Sequence, residues 1–159
     1  MKLKVNWKIF FLSFFAVFFT ALLGSFLTYN GVNSDWYQFI KPSITPPNFV
    51  FPIAWTILFV MIFFSFYFSL MSAKEKGKLK VEIIFMLNLF LNIFWTLLFF
   101  FLKEPKYAFI EIIFLWLSIV SMIYVTRKIN KKAMWLLVPY LLWVTFAGLL
   151  NYLGAFIVR

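Results

Sequence analysis

Hydrophobic positions in this chain come in long unbroken runs, and the polar positions are gathered into short clusters between them. The first run, Ile9 to Leu27, has about 19 residues and spans about 28 Å at 1.5 Å per residue, close to the hydrocarbon thickness of a bilayer. Four further runs predict helices over 51–71, 81–102, 107–125 and 133–158. They are separated by a basic turn at 72–80, a hinge from Lys103 to Lys106 that holds Pro105, and a second basic turn carrying Arg127, Lys128, Lys131 and Lys132. Pro139 lies inside the last run and predicts a bend or a local irregularity there. The first run exceeds the usual length of a signal-peptide core, and no clear small-residue cleavage site follows it, so it is read as a retained span.

One long stretch fits neither pattern. Trp36 to Thr56 holds Pro42, Pro46, Pro47 and Pro52, which fix φ, remove backbone donors and push their predecessors towards extended geometry. Most of this stretch is therefore expected to be non-helical, as part of a lid loop over 30–50. Pro52 suits a first helical turn, so the second helix is expected to start near Phe51.

Composition turns the pattern into a class. With 65% hydrophobic and 13% charged residues, a water-soluble domain would leave far too much apolar surface in solvent. The prediction is an all-α integral membrane protein, a five-transmembrane-helix bundle forming one domain over 1–159. Histidine and cysteine are absent, which removes the usual zinc, copper and axial haem ligands, and no metal site is predicted. The net charge of +10 would suit a nucleic-acid partner only if a soluble basic module carried it. Here eleven basic side chains belong to the N-terminus and the turns after the second and fourth spans, against four on the opposite side. That asymmetry predicts a cytoplasmic N-terminus and an external C-terminus, with no role for nucleic acid.

Candidate chemistry appears when the spans share one depth axis. Counted from the loop end at 1.5 Å per residue, Trp55 lies about 6 Å in, Trp95 and Asn151 about 10 Å, Asn92 and Ala147 about 15 Å, and Trp143 about 20 Å. Asn88, Asn92, Trp95 and Phe99 share one helical face, as do Tyr140, Trp143, Ala147 and Asn151. Two such stripes facing each other would suit a flat conjugated ligand, stacked on Trp and Tyr, oriented by a few donors and admitted by a small residue such as Ala147 or Gly148. The competing reading makes the tryptophans interfacial belt residues and the asparagines helix-to-helix glue. Glu111, a carboxylate inside a span, is either a functional group or is solvated or paired with Lys103 or Lys106 near the helix end. Ala21 and Ser25 form a small-xxx-small pair expected to receive another helix of the same chain.

The order WY-x3-KPS-x-TPP-x3-FP-x2-WT at Trp36 to Thr56, N-x2-W at Asn92 to Trp95, P-x2-A-x2-E at Pro105 to Glu111, and PYLLWVTFAGLLNY at Pro139 to Tyr152 resembles the translocator protein or tryptophan-rich sensory protein (TspO/MBR) family. The resemblance covers essentially the whole chain. It implies a five-helix bundle, often dimeric, with a porphyrin-binding pocket beneath the first loop. A homodimer and a porphyrin are thus the expected partners besides the lipid membrane, and no cofactor is required. By motif, Trp55 and Trp143 would face the ligand with Ala147 and Leu150 beside them. Asn92 and Trp95 would line the third helix, Trp36, Tyr37, Pro42 and Pro47 would belong to the closing loop, and Lys41 would meet an acidic substituent at the mouth.

The chain also departs from the family. Ile44 replaces an aromatic of the lid, and Thr96 stands where animal relatives have proline. A proposed cholesterol pattern fails because six residues separate Tyr152 from Arg159 where at most five are allowed. The lean towards Lys, Ile, Phe and Asn points to a bacterial cell membrane. Three readings of function follow: a membrane receptor that sequesters, senses or transports porphyrin; a light-dependent porphyrin-degrading enzyme using Trp55 and Trp143; or a scaffold without a small ligand. No conventional nucleophile and base pair supports catalysis, so no catalytic residue is assigned outside the second reading.

Overall fold

The computed structural model describes residues 5–157. Lys2, Lys4 and Arg159, which enter the charge asymmetry, and Val158, the expected end of the last helix, lie outside the described residues. Among the described residues the chain is helical without strands, and five helices are long and apolar enough to cross a membrane.

Helix α1 runs Trp7–Val32, started by Asn6, whose side chain accepts a hydrogen bond from the Ile9 N–H. It outlasts the apolar run because nothing in Thr28, Tyr29 or Asn30 breaks a helix, and the Thr28 hydroxyl folds back onto the Gly24 carbonyl at 2.7 Å. A short helix α2, Asp35–Ile40, then occupies ground expected to be loop. The reason is local: Ser34 caps it by accepting the Tyr37 N–H, Asp35 suits the positive end of its dipole, and the first proline comes only at Pro42. Lys41, held extended before Pro42 (ψ 117°), ends it.

Helix α3, Val50–Ser72, carries Pro52 in its first turn. Helix α4, Glu75–Thr96, begins well before the expected 81. Lysine and glutamate are good helix formers, so the end of the apolar run is not the end of the helix, and Lys78 pairs with Glu75 one turn back. At its far end α4 widens into a π-turn over Leu97–Phe101, with the Leu102 N–H reaching Leu97, and Lys103 (φ 56°) then reverses the chain. Helix α5, Pro105–Arg127, opens on its proline. The last span is two helices, α6 at Lys131–Trp135 and α7 at Val138–Phe156, and Pro139 sits in the first turn of α7.

Helix α5 packs most extensively, with α4 on one side and α7 on the other; α1 packs on α3, α4 and the π-turn, and α6 on α5 and α3. The core centres on Ile62, Phe66, Phe85, Ile119, Met122 and Tyr140, with Phe66 and Phe85 stacked at 4.6 Å. In lipid this apolar contact gains no hydrophobic driving force, so packing and interhelical hydrogen bonds fix the arrangement. A polar seam supplies the bonds. Asn88 donates to Ser118 (2.8 Å), Tyr140 to Asn88 (3.2 Å) and Asn92 to Tyr140 (3.1 Å), tying α4, α5 and α7 together. Nearer the loop end, Trp95 donates to Asn151 (3.1 Å), which in turn donates to the Pro105 carbonyl (2.8 Å).

Glu111 does not behave as a solvated or paired end-of-helix acid. It is 5% exposed, and neither carboxylate oxygen has a partner. Pro105 starts α5 early enough to put Glu111 on the buried face that also carries Ala108, Leu115 and Ser118, while Lys103 and Lys106 stay on the exposed side.

The lid is held at two glycines. A Cβ at Gly154 would lie 2.8 Å from the Ile40 carbonyl oxygen, and one at Gly31 would lie 2.7 Å from Phe100, so both close approaches need hydrogen at that position. Gly154→Val is therefore expected to lift α2 from α7, seen as faster amide hydrogen exchange over 35–45 with the bundle core unchanged. Glu111→Leu removes an unpartnered buried carboxylate and should stabilise the detergent-solubilised protein by about 1–3 kcal/mol. Tyr140→Phe, which removes one hydrogen bond from each of Asn88 and Asn92, should destabilise it by about 1–2 kcal/mol. Thermal unfolding midpoints check both signs.

Candidate functional site

Beneath the lid lies a cavity of about 360 Å³, within the range of small-molecule sites. Five segments wall it: Ala21, Gly24, Ser25, Thr28 and Tyr29 of α1, followed by Asn33; Tyr37, Ile40, Lys41, Pro42, Thr45 and Asn48 of the lid; Phe51, Pro52, Trp55 and Phe59 of α3; Asn92, Trp95 and Thr96 of α4 with Phe99 and Phe100 of its π-turn; and Trp143, Ala147, Leu150 and Asn151 of α7. The two polar-aromatic stripes predicted on α4 and α7 do face each other, joined by the bonds from Asn92 to Tyr140 and from Trp95 to Asn151.

Of the residues singled out from the sequence, Tyr37, Lys41, Pro42, Trp55, Asn92, Trp95, Trp143, Ala147 and Leu150 line the cavity. Trp36 and Pro47 do not. Trp36 packs edge-on against Phe99 at 5.7 Å and braces the lid, and Pro47 is exposed on the outer side of the loop.

The polar groups divide into committed and free donors. The Asn92 amide and the Trp95 indole N–H are already bonded within the protein, so they serve as the interhelical glue of the competing reading. The Trp143 indole N–H and the Thr45 hydroxyl belong to cavity-lining residues and have no partner, but both atoms are themselves fully buried. Lys41 donates one hydrogen bond to Asn48 (3.0 Å), which leaves two ammonium hydrogens at the mouth. Its ammonium stands 6.0 Å from the centre of the Tyr37 ring, and burial pushes that phenol above its ordinary range, so the ring stays neutral. The aromatic surface is pre-arranged: Phe51 meets Trp143 edge-on at 5.8 Å, Trp55 meets Tyr140 edge-on at 6.2 Å, and Trp95 stacks on Phe99 at 5.2 Å. The arrangement can hold a flat apolar body between indole and phenyl faces, with an acid at the mouth against Lys41.

The α1 wall was missed. Ala21 and Ser25 were expected to receive a neighbouring helix, yet they face the cavity, and a Cβ on Gly24 would meet nothing within 4 Å. The available signal was the spacing 21, 24, 25, 28, a small and polar stripe on a helix otherwise rich in Phe and Leu. Thr45, Asn48 and Phe59 carried no sequence signal that sets them apart from ordinary loop and core residues.

Comparison with known proteins agrees with this architecture. The family model described as the TspO/MBR family matches residues 11–155. The tryptophan-rich protein TspO of Archaeoglobus fulgidus is 37% identical over 145 residues, covering 88% of this chain and 90% of that protein. The protein of the same name from Chlorobaculum tepidum is 36% identical over 128 residues, covering 79% of this chain and 81% of its own length. The translocator protein of Bos taurus is 31% identical over 148 residues and 86% of each chain. With its five spans and a match over nearly its whole length, this multi-pass integral membrane protein belongs to the TspO/MBR family.

Proposed function

We propose that the protein is a membrane receptor for porphyrins, which it holds in the cavity beneath the lid in order to sequester, sense or pass them on. The observation that carries this reading is the pairing of Trp55 and Trp143 around one cavity with the Lys41 ammonium at its mouth. A tetrapyrrole presents a flat conjugated face to the aromatics and a propionate to Lys41. Recognition through the ring face and the acids needs no axial ligand, consistent with a chain that contains no His or Cys. The basic turns group at the end remote from the lid, which favours a cytoplasmic basic end and a cavity that opens on the outer side.

A second reading has one observation in its favour. Both tryptophans face the same cavity, so a bound porphyrin excited by light would have two oxidisable indoles in contact with it. Titration of the detergent-purified protein with metal-free protoporphyrin in the dark is expected to give saturable tryptophan quenching. A Trp55→Phe/Trp143→Phe variant should bind at least about tenfold more weakly, a loss of about 1.4 kcal/mol or more, as expected for two aromatic contacts of about 0.5–1.5 kcal/mol each. Illumination follows. Light-dependent loss of porphyrin that requires the two tryptophans would make the protein an enzyme, and unsaturable quenching would refute the porphyrin reading.

A further inference from the structure

The lid roofs the cavity, so the route by which a ligand reaches it is a separate question, and the seam between α1 and α3 answers it. At the basic half of the bundle this seam is shut by aromatic contacts. Phe10 meets Phe63 edge-on at 5.3 Å and Tyr67 at 5.8 Å, and Phe14 meets Phe63 at 6.0 Å. The two helices run antiparallel, so the register set by Phe14 and Phe63 brings Ala21 to the level of Trp55 and Ser25 to that of Pro52. At these levels the side chains on α1 are small, and they line the cavity instead of packing across the seam.

Four of the lining residues are also exposed: Ser25, Tyr29 and Asn33 on the α1 side of the seam and Pro52 on the α3 side, with Ser25 and Pro52 at one level. A residue that both lines a cavity and faces the surroundings marks an opening, and here two such marks stand on adjacent helices at that level. The open space above Gly24 lies on the same side. Helix α1, with 26 residues, is about 39 Å long, some 9 Å more than the hydrocarbon core. Centred on the bilayer, it would place Ser25, about 10 Å from its loop end, roughly 5 Å inside the hydrocarbon. The top of the cavity is closed by contacts of another kind: Ile40 seated on Gly154, and Lys41 bonded to Asn48.

We infer that the cavity is filled and emptied sideways, through a fissure between the lid-end halves of α1 and α3 that opens into the acyl-chain region of one leaflet, and that its ligands are therefore amphiphiles already dissolved in the bilayer. An apolar body crosses the fissure without leaving hydrocarbon, and its acidic end stays near the headgroups, at the level of Lys41. The fissure rests on the α1–α3 geometry alone; only the choice of porphyrin as its traffic rests on the function proposed above.

The chain contains no cysteine, so Ser25→Cys can carry a single nitroxide label in lipid nanodiscs. The label should collide freely with dissolved oxygen, about as often as one at lipid-facing Leu22, and rarely with a water-soluble nickel chelate. Protection from both reagents means a closed seam, and preferential access by nickel means an aqueous entrance; either result overturns the inference. Gly24→Leu, which places a side chain in the open space, should slow both association and release of protoporphyrin, each by roughly tenfold, the effect of about 1.4 kcal/mol on a barrier. Unchanged rates in this variant would overturn the route, and so would a loss of affinity carried by release alone. Failure of the unaltered protein to bind protoporphyrin would refute the porphyrin reading, while label accessibility alone decides the fissure.

Discussion

The Tyr140 hydroxyl lies between two asparagines of α4, and the arrangement of the bundle depends on that contact. Lipid offers apolar side chains much the same surroundings as a neighbouring helix does, so contacts such as Phe66 on Phe85 cannot by themselves select one set of neighbours. The chain of bonds from Ser118 through Asn88 and Tyr140 to Asn92 can, because each group would otherwise be left unpaired in hydrocarbon. It joins α4, α5 and α7 into a rigid half. These bonds and the one from Trp95 to Asn151 commit one amide hydrogen of Asn92 and the Trp95 indole N–H, so much of the polarity of the cavity wall already serves the bundle.

The spans and the facing stripes were legible in the sequence because two strong rules govern them: hydrocarbon thickness sets the length of a span, and the helical period sets which residues share a face. The stripe with Asn92 and Trp95 and the stripe with Tyr140 and Asn151 could therefore be expected to face each other, though not which residue bonds which. Boundaries were less legible where the end of an apolar run was taken for the end of a helix. The lysines of α4 continue the helix into the interface, and Ser34 with Asp35 starts α2 inside a stretch that the prolines seemed to forbid. Depth along a single helix also misplaced Glu111. One turn from the end of a helix does not mean solvent when the residue lies on the face that meets α4 and α7.

The α1 wall failed for a different reason. A small-xxx-small pair reports that something approaches the backbone closely, but not what approaches. In α1 the rings that meet α3, Phe10 and Phe14 against Phe63 and Tyr67, lie in the basic half, and small residues take over towards the lid. The change of side-chain size along the helix marks a change of neighbour, from α3 to open volume, and only the positions of the other helices distinguish open volume from a partner.

This division of the bundle explains where a cavity can exist at all. A void in the α4, α5 and α7 half would break the polar seam and strand its donors, at a cost of about 1–3 kcal/mol for each buried group left unsatisfied. A void against α1 costs only the packing of a helix that buries few of its own residues and contributes nothing to the polar seam among the described residues. Opening and exchange of the proposed ligand would thus be confined to the weakly held side, with Trp95 and Trp143 carried by the rigid side and Phe51, Trp55 and Phe59 by α3. Trp55 stands on α3 between the two, against Tyr140 on one side and the cavity on the other. A change in the occupancy of the cavity would therefore reach the polar seam first through the contact between Trp55 and Tyr140.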